Sequence, residues 1–201
     1  MASTRCNYST DFLSLHYTKS YTLANPLHID ILNSGIDAWN TWRFENPAII
    51  PDLSALDLTG RFLQDVNFAG ANLNRAFLTV SELEKANLDG ADLRNANLTG
   101  ADLNEVSAIK ADFSGADLSY ATLTFAKLER ANFTGARLPE AILYNVAARH
   151  TIFVGAYLRE TILTGSDFSG ADFKGADLKD TITEGAILPI GMPIPTRSKR
   201  E

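Results

Sequence analysis

The chain has 201 residues, 45% of them hydrophobic and 21% charged, enough apolar content for one well-filled domain. Its formal net charge of −6 argues against direct binding to nucleic acid. The single cysteine, Cys6, excludes an intrachain disulfide and a cysteine-based metal site, and no apolar run approaches the length of a membrane-spanning helix.

In chain order, residues 1–24 form a segment expected to be flexible, rich in Ser, Thr and Tyr, with Asp11 as its one acidic residue. It lacks the apolar stretch of a secretory signal, and its composition is only faintly that of a transit peptide. A reducing, cytoplasmic setting is the expectation. Residues 25–50 are expected to be helical. Asn25-Pro26 reads as an N-cap followed by Pro in the first turn, and Leu32, Ile36 and Trp39 recur at helical spacing before Pro47 stops the element. Gly35 offers a break into two short pieces.

From Pro51 the chain divides into blocks of five without an insertion as far as Ile190, giving 28 pentads. The third residue is Leu or Phe in 25 of them, the exceptions being Ala108, Ala148 and Thr183. The first residue is Ala in 17, and eleven of the thirteen glycines stand fifth. A frame held this long is the dominant signal in the chain. A period of five smears the Leu positions around a helix and breaks the alternation of a plain strand. It fits a chain that turns every five residues, with Gly, Asn, Asp and Ser supplying turn chemistry. No pentad can bury its own Leu, so stability has to come from stacked coils. Residues 191–201 follow as a second flexible segment, with Pro193, Pro195 and a basic TRSKRE end.

The blocks ADLRN (91–95), ANLTG (96–100), ADFSG (111–115) and ADLSY (116–120) resemble the A-(D/N)-L-x-x motif of the pentapeptide-repeat family. The resemblance implies an all-β solenoid, a right-handed quadrilateral β-helix with four pentads per coil and seven coils, preceded by a short capping helix. It also implies that first and third residues point inward and the others outward. The stretch GIDAWNTWRFENP (35–47) resembles the WNxWR lead-in of some bacterial members, notably cyanobacterial ones. Trp39 and Trp42 are then expected to plug the first coil, an aromatic pair for a sugar or a partner being the alternative.

With twenty residues per coil, residues twenty apart share a column. Phe113, Phe133, Phe153 and Phe173 should form an inner aromatic ladder continuing Leu53, Leu73 and Leu93. Ala108 and Ala148 stand in the pentads that begin with Val106 and Val146, so a large residue and a small one have exchanged places.

No catalytic constellation is present. His16, His28 and His150 are scattered, and no zinc-protease, Walker or nucleophile-elbow motif occurs. No metal and no cofactor are expected. The second-position carboxylates Asp92, Asp102, Asp112 and Asp117 are expected to serve the turns. Charge is more informative, since the four faces carry −1, −3, −4 and +1, with the negative charge on two adjacent faces. Some members of the family imitate DNA and bind type II topoisomerases. Seven coils make a rod of about 34 Å, and duplex DNA of that length carries about 20 charges, so this rod has about a third of that density. On the third face Ile142, Ile162 and Ile182 stack outward, with Phe125 and Tyr144 beside them, as an apolar stripe fit for a protein partner. The expected function is a non-catalytic protein-binding scaffold or regulator whose partner the residues do not name; a DNA-mimicking modulator of gyrase or topoisomerase is the alternative. No amphipathic C-terminal helix is expected, which favours a monomer.

Overall fold

A computed structural model describes residues 24–192, so residues 1–23 and 193–201 of the two terminal segments lie outside the described residues. The organising event is local. Twenty-seven of the 28 fifth positions are left-handed, sixteen with a side chain and eleven as glycine. One such residue every five turns the chain through a corner, and four corners return it above its start. The closure is visible as 24 parallel pairings, each joining a residue to the one twenty further on, from Asp52 with Asn72 to Asp167 with Ile187. Four pairings at each of six junctions make seven coils. Each face contributes one paired residue per coil, so no strand of ordinary length forms among the described residues.

The hydrogen bonds repeat with the pentad. In the second coil the third-position Leu73 N–H donates to the Asp92 carbonyl of the coil above (2.7 Å), and the second-position Asn72 N–H donates to the Pro51 carbonyl below (2.8 Å). Arg75 at the corner donates to the Arg94 carbonyl (2.9 Å). This ladder leaves the fourth-position N–H without a backbone acceptor. A second-position Asn or Asp provides one: Thr99 N–H donates to Asn97 Oδ1 (3.0 Å) and Lys174 N–H to Asp172 Oδ1 (2.9 Å). The repeat's preference for those two residues is thus a turn device in which the side chain replaces a missing backbone acceptor.

First and third positions fill the interior. In the upper coils a first-position hydroxyl reaches a carbonyl of the coil below: Thr161 Oγ1 donates to the Leu138 carbonyl and Thr181 Oγ1 to that of Leu158, both at 2.7 Å, whereas Ser81 Oγ donates to the Leu78 carbonyl in the preceding pentad (2.8 Å). These buried hydroxyls are satisfied, so they cost little. The inner phenylalanines stack almost parallel, Phe113 on Phe133 at 4.7 Å, Phe133 on Phe153 at 5.0 Å and Phe153 on Phe173 at 4.9 Å. Phe168 meets this ladder edge-on. Val106 with Ala108 and Val146 with Ala148 are all buried.

Some corners compete for space with the corner twenty residues on. The Asn145 side chain lies across the next coil's Gly165, where a Cβ would come within 2.2 Å of its Oδ1. His150 covers Gly170 in the same way, with 2.5 Å to Nδ1. These glycines answer to a neighbour as well as to their own backbone.

At the N-terminal end there are two helices, α1 (Pro26–Asn33) and α2 (Ile36–Glu45). Asn25 Oδ1 accepts the Leu27 N–H at the start of α1, with Pro26 in the first turn. Gly35, at φ 112°, separates the helices. The two supply the groups that a preceding coil would have offered. Asn25 N–H donates to the Asp52 carbonyl (2.9 Å), and His28 Nδ1 accepts the Asp52 N–H (2.9 Å). On the fourth face Trp39 Nε1 donates to the Asn67 carbonyl (2.8 Å) and Asn40 Oδ1 accepts the Asn67 N–H (2.8 Å). Arg43 donates to the Ala69 carbonyl (2.6 Å) and to that of Ile49 (2.8 Å). Trp39 is fully buried over Phe68, and Trp42 packs between Trp39 and His28.

Two outcomes test this architecture. Replacing Val106 with Ala leaves two small residues in one pentad and should cost about 2–3 kcal/mol in denaturant unfolding; a loss below about 0.5 kcal/mol would refute the exchange of large and small. The Asp167 carboxyl is held at about 2 by the Ser169 hydroxyl and N–H and then by Arg149. A depressed carboxyl contributes stability above its ordinary value and loses it as the pH falls through the folded value. Asp167→Asn should therefore flatten the decline in stability between about pH 4 and pH 2, measured by thermal melting.

Candidate protein-binding face

Within each coil the third face begins at residues 61, 81, 101, 121, 141, 161 and 181. Its second-position column runs Thr122, Ile142, Ile162, Ile182 through successive parallel pairings. The stripe residues predicted from the sequence are brought together on this surface. Ile142 and Ile162 are half-buried, while Ile182, Tyr144 and Phe125 are exposed. Phe125 and Tyr144 meet edge to face at 6.2 Å, and the Phe125 N–H donates to the Tyr144 carbonyl at 3.0 Å. The inner ladder and the cap tryptophans lie elsewhere: the ladder belongs to the interior of the first face, and Trp39 and Trp42 sit across the first coil.

Two features of the stripe carry a cost to the fold. An Ile at the second position gives up the side-chain acceptor that Asn or Asp would provide. Among the described residues, the N–H groups of Tyr144, Thr164 and Glu184 have no acceptor from the second position of their own pentads, in three coils running. Phe125 also holds a left-handed backbone at φ 61°, and the residue is 55% exposed. An aromatic residue there is strained where glycine would be at ease. Strain of this kind persists where a side chain serves another purpose.

Sequence reasoning did not single out His28, Asn40 or Arg43, which bond the edge of the first coil beside Trp39. The signal was present, because Asn40 and Arg43 are the polar members of the WNxWR stretch. Nothing in the sequence marked His28, a histidine near a helix start, as a buried acceptor. Burial draws the Arg43 guanidinium below its ordinary value, consistent with its place on the side of α2 that meets the first coil. Among the described residues, no group of three His, Cys, Asp or Glu side chains is placed to hold a metal ion, and no helix is long and apolar enough to cross a membrane.

Phe125→Gly should leave the protein as stable as before or up to about 1 kcal/mol more stable, because relief of the left-handed backbone outweighs a half-exposed ring contact. Denaturant unfolding measures it, and a loss of more than about 1 kcal/mol would show the ring to be structural.

Comparison with known proteins places the architecture. The model of pentapeptide repeats matches residues 63–100, 96–135 and 141–180, with eight copies. No curated protein matches the chain at a significant level. Among solved structures, HetL, a pentapeptide repeat protein involved in heterocyst differentiation regulation from the cyanobacterium Nostoc sp. strain PCC 7120, is 32% identical. That match covers 69% of this chain and 68% of HetL, with a TM-score of 0.45. Rfr23 from the cyanobacterium Cyanothece 51142 is 25% identical over 74% of this chain and 97% of its own, with a TM-score of 0.46. QnrB1, a plasmid-mediated fluoroquinolone resistance protein, is 21% identical over 66% and 77%, with a TM-score of 0.45. Twenty-eight pentads in one frame, coils closed by pairing at a spacing of twenty and the matched repeat model lead to one conclusion: this chain belongs to the pentapeptide-repeat family, with its right-handed quadrilateral β-helix.

Proposed function

We infer that the chain is a non-catalytic, cytoplasmic protein-binding scaffold that docks its partner on the third face, over Ile142, Ile162 and Ile182 with Phe125 and Tyr144 at the edge. One observation carries the reading: three coils in succession replace the turn-stabilising Asn or Asp by Ile on one outward column. A side chain that costs the fold a hydrogen bond and exposes an apolar surface is explained by what it touches outside the fold. The rigid ladder beneath keeps the stripe flat, so little ordering has to occur on docking. The stacked interior supports a binding role over a chemical one, because first and third positions fill the coil with Ala, Leu and Phe.

The chemistry of the repeat makes the test unusually clean. Ile142→Asn, Ile162→Asn and Ile182→Asn together restore the preferred second residue, so the variant should melt at or above the wild-type temperature. It should also lose a partner that wild type retains in affinity capture from host lysate, identified by mass spectrometry. Retention of the same partners by both proteins would discard the stripe.

The alternative, a DNA-mimicking modulator of gyrase or topoisomerase, is favoured by the charge on two adjacent faces, −3 and −4. Topoisomerase subunits retained equally by wild type and variant, with inhibition of DNA supercoiling, would establish it instead.

A further inference from the structure

The corner preceding the third face carries a column that runs beside the stripe. Tyr120, Glu140, Glu160 and Asp180 stand twenty residues apart, each left-handed, with φ between 57° and 62°. Tyr120, Glu140 and Glu160 are exposed. The basic residues of the second face do not neutralise the two glutamates: Arg137 approaches Asp117 at 3.4 Å and Arg159 holds Asp177 at 2.5 Å. Among the described residues Glu140 and Glu160 therefore make no ion pair. Like charges stacked on neighbouring coils are unfavourable, and their field is felt locally, since Glu140 and then Glu160 push the Tyr120 hydroxyl above its ordinary value.

The stripe alone is too small for a stable contact. Three coils of about 4.8 Å and a face of about 10 Å give on the order of 150 Å², well below the roughly 800 Å² that each partner buries in a standard interface. A second copy set stripe to stripe would bury too little. An occupant has to cover the flank as well, and that flank is acidic. The dimensions suit a helix. From Ile142 to Ile182 is two coil steps, about 9.6 Å, and residues i and i+7 of an α-helix are about 10.5 Å apart. Rows at i, i+3 or i+4, and i+7 thus fall into step with the coils.

We propose that the occupant of the third face is an amphipathic helix of a partner protein laid along the rod axis, its apolar row on Ile142, Ile162 and Ile182 and a Lys/Arg row against Glu140, Glu160 and Asp180. This rests on the scaffold reading and names the partner's chemistry. The corner aromatic residues fit the same arrangement, Tyr120 ending the acidic row and Phe125 closing the far edge of the face.

The probe is a synthetic 18-residue helix with a Leu row flanked by Lys, compared with the same peptide carrying Glu, each titrated against the full chain by fluorescence anisotropy at low and high salt. The Leu/Lys peptide should bind wild type, more weakly at high salt, and the Leu/Glu peptide at least 10-fold less tightly. Glu140→Lys with Glu160→Lys should weaken the Leu/Lys peptide at least 10-fold and reverse the preference. Glu84→Lys with Glu105→Lys, an equal change of net charge nearer the N-terminus, should alter binding less than about 3-fold. Equal effects of the two charge variants, or none from the first, would overturn the basic-helix inference while leaving the stripe standing if the triple Ile→Asn variant still loses the peptide. Unchanged binding by that triple variant would overturn both.

Discussion

Everything in this molecule depends on pairing between residues twenty positions apart. Parallel bonding between coils is possible because a left-handed residue recurs every five positions and closes the square. Once closed, each residue acquires two fixed neighbours, twenty before and twenty after. The chain thereby becomes four faces and four corners, each an independent column. The Phe ladder, the hydroxyls that reach a lower carbonyl and the stripe on the third face all follow from this one register. A shift of a single residue would move every Leu from the interior to the surface.

The same register explains why so much of the architecture could be read from the residues. Period five appears directly in the positions of Leu, Ala and Gly, and the columns follow from four pentads per coil by arithmetic. The inner placement of Phe113, Phe133, Phe153 and Phe173 needed nothing more. The hydrogen bonds of the first coil were less legible. His28 and Asp52 are neighbours only because α1 lies across the coil, and no periodic signal reports a helix packed on the end of a solenoid. Trp39 and Trp42 stood out by size, whereas Asn40 and Arg43 looked like surface residues of a helix until their partners, the Asn67 and Ala69 backbone groups, were in view. The candidate site was half-legible. The Ile column could be found by counting, but its cost to the fold became apparent only when the fourth-position N–H was seen to rely on a second-position Asn or Asp.

Stability in such a rod is close to a sum over junctions between coils. Each of the six junctions carries the same four pairings, so no region is a hub whose loss collapses the rest. The helical cap matters for a different reason: it occupies edge groups that would otherwise template another chain. Its two helices engage the first and fourth faces of the first coil, through Asp52 and through Asn67 and Ala69.

The crowding at corners has a further meaning for how this surface can change over time. Asn145 over Gly165 and His150 over Gly170 show that a folded-back side chain claims the space of the corner above it. Where a side chain folds back in this way, the two sites behave like neighbours on an adsorption lattice: filling one vetoes certain fillings of the next. The flat second and fourth positions carry no such veto. Variation should therefore follow the turn hydrogen bond on the flats, where a second-position Asn or Asp serves the fourth-position N–H, and be correlated between coils at those corners where the lower side chain folds back and its upper neighbour has to be small.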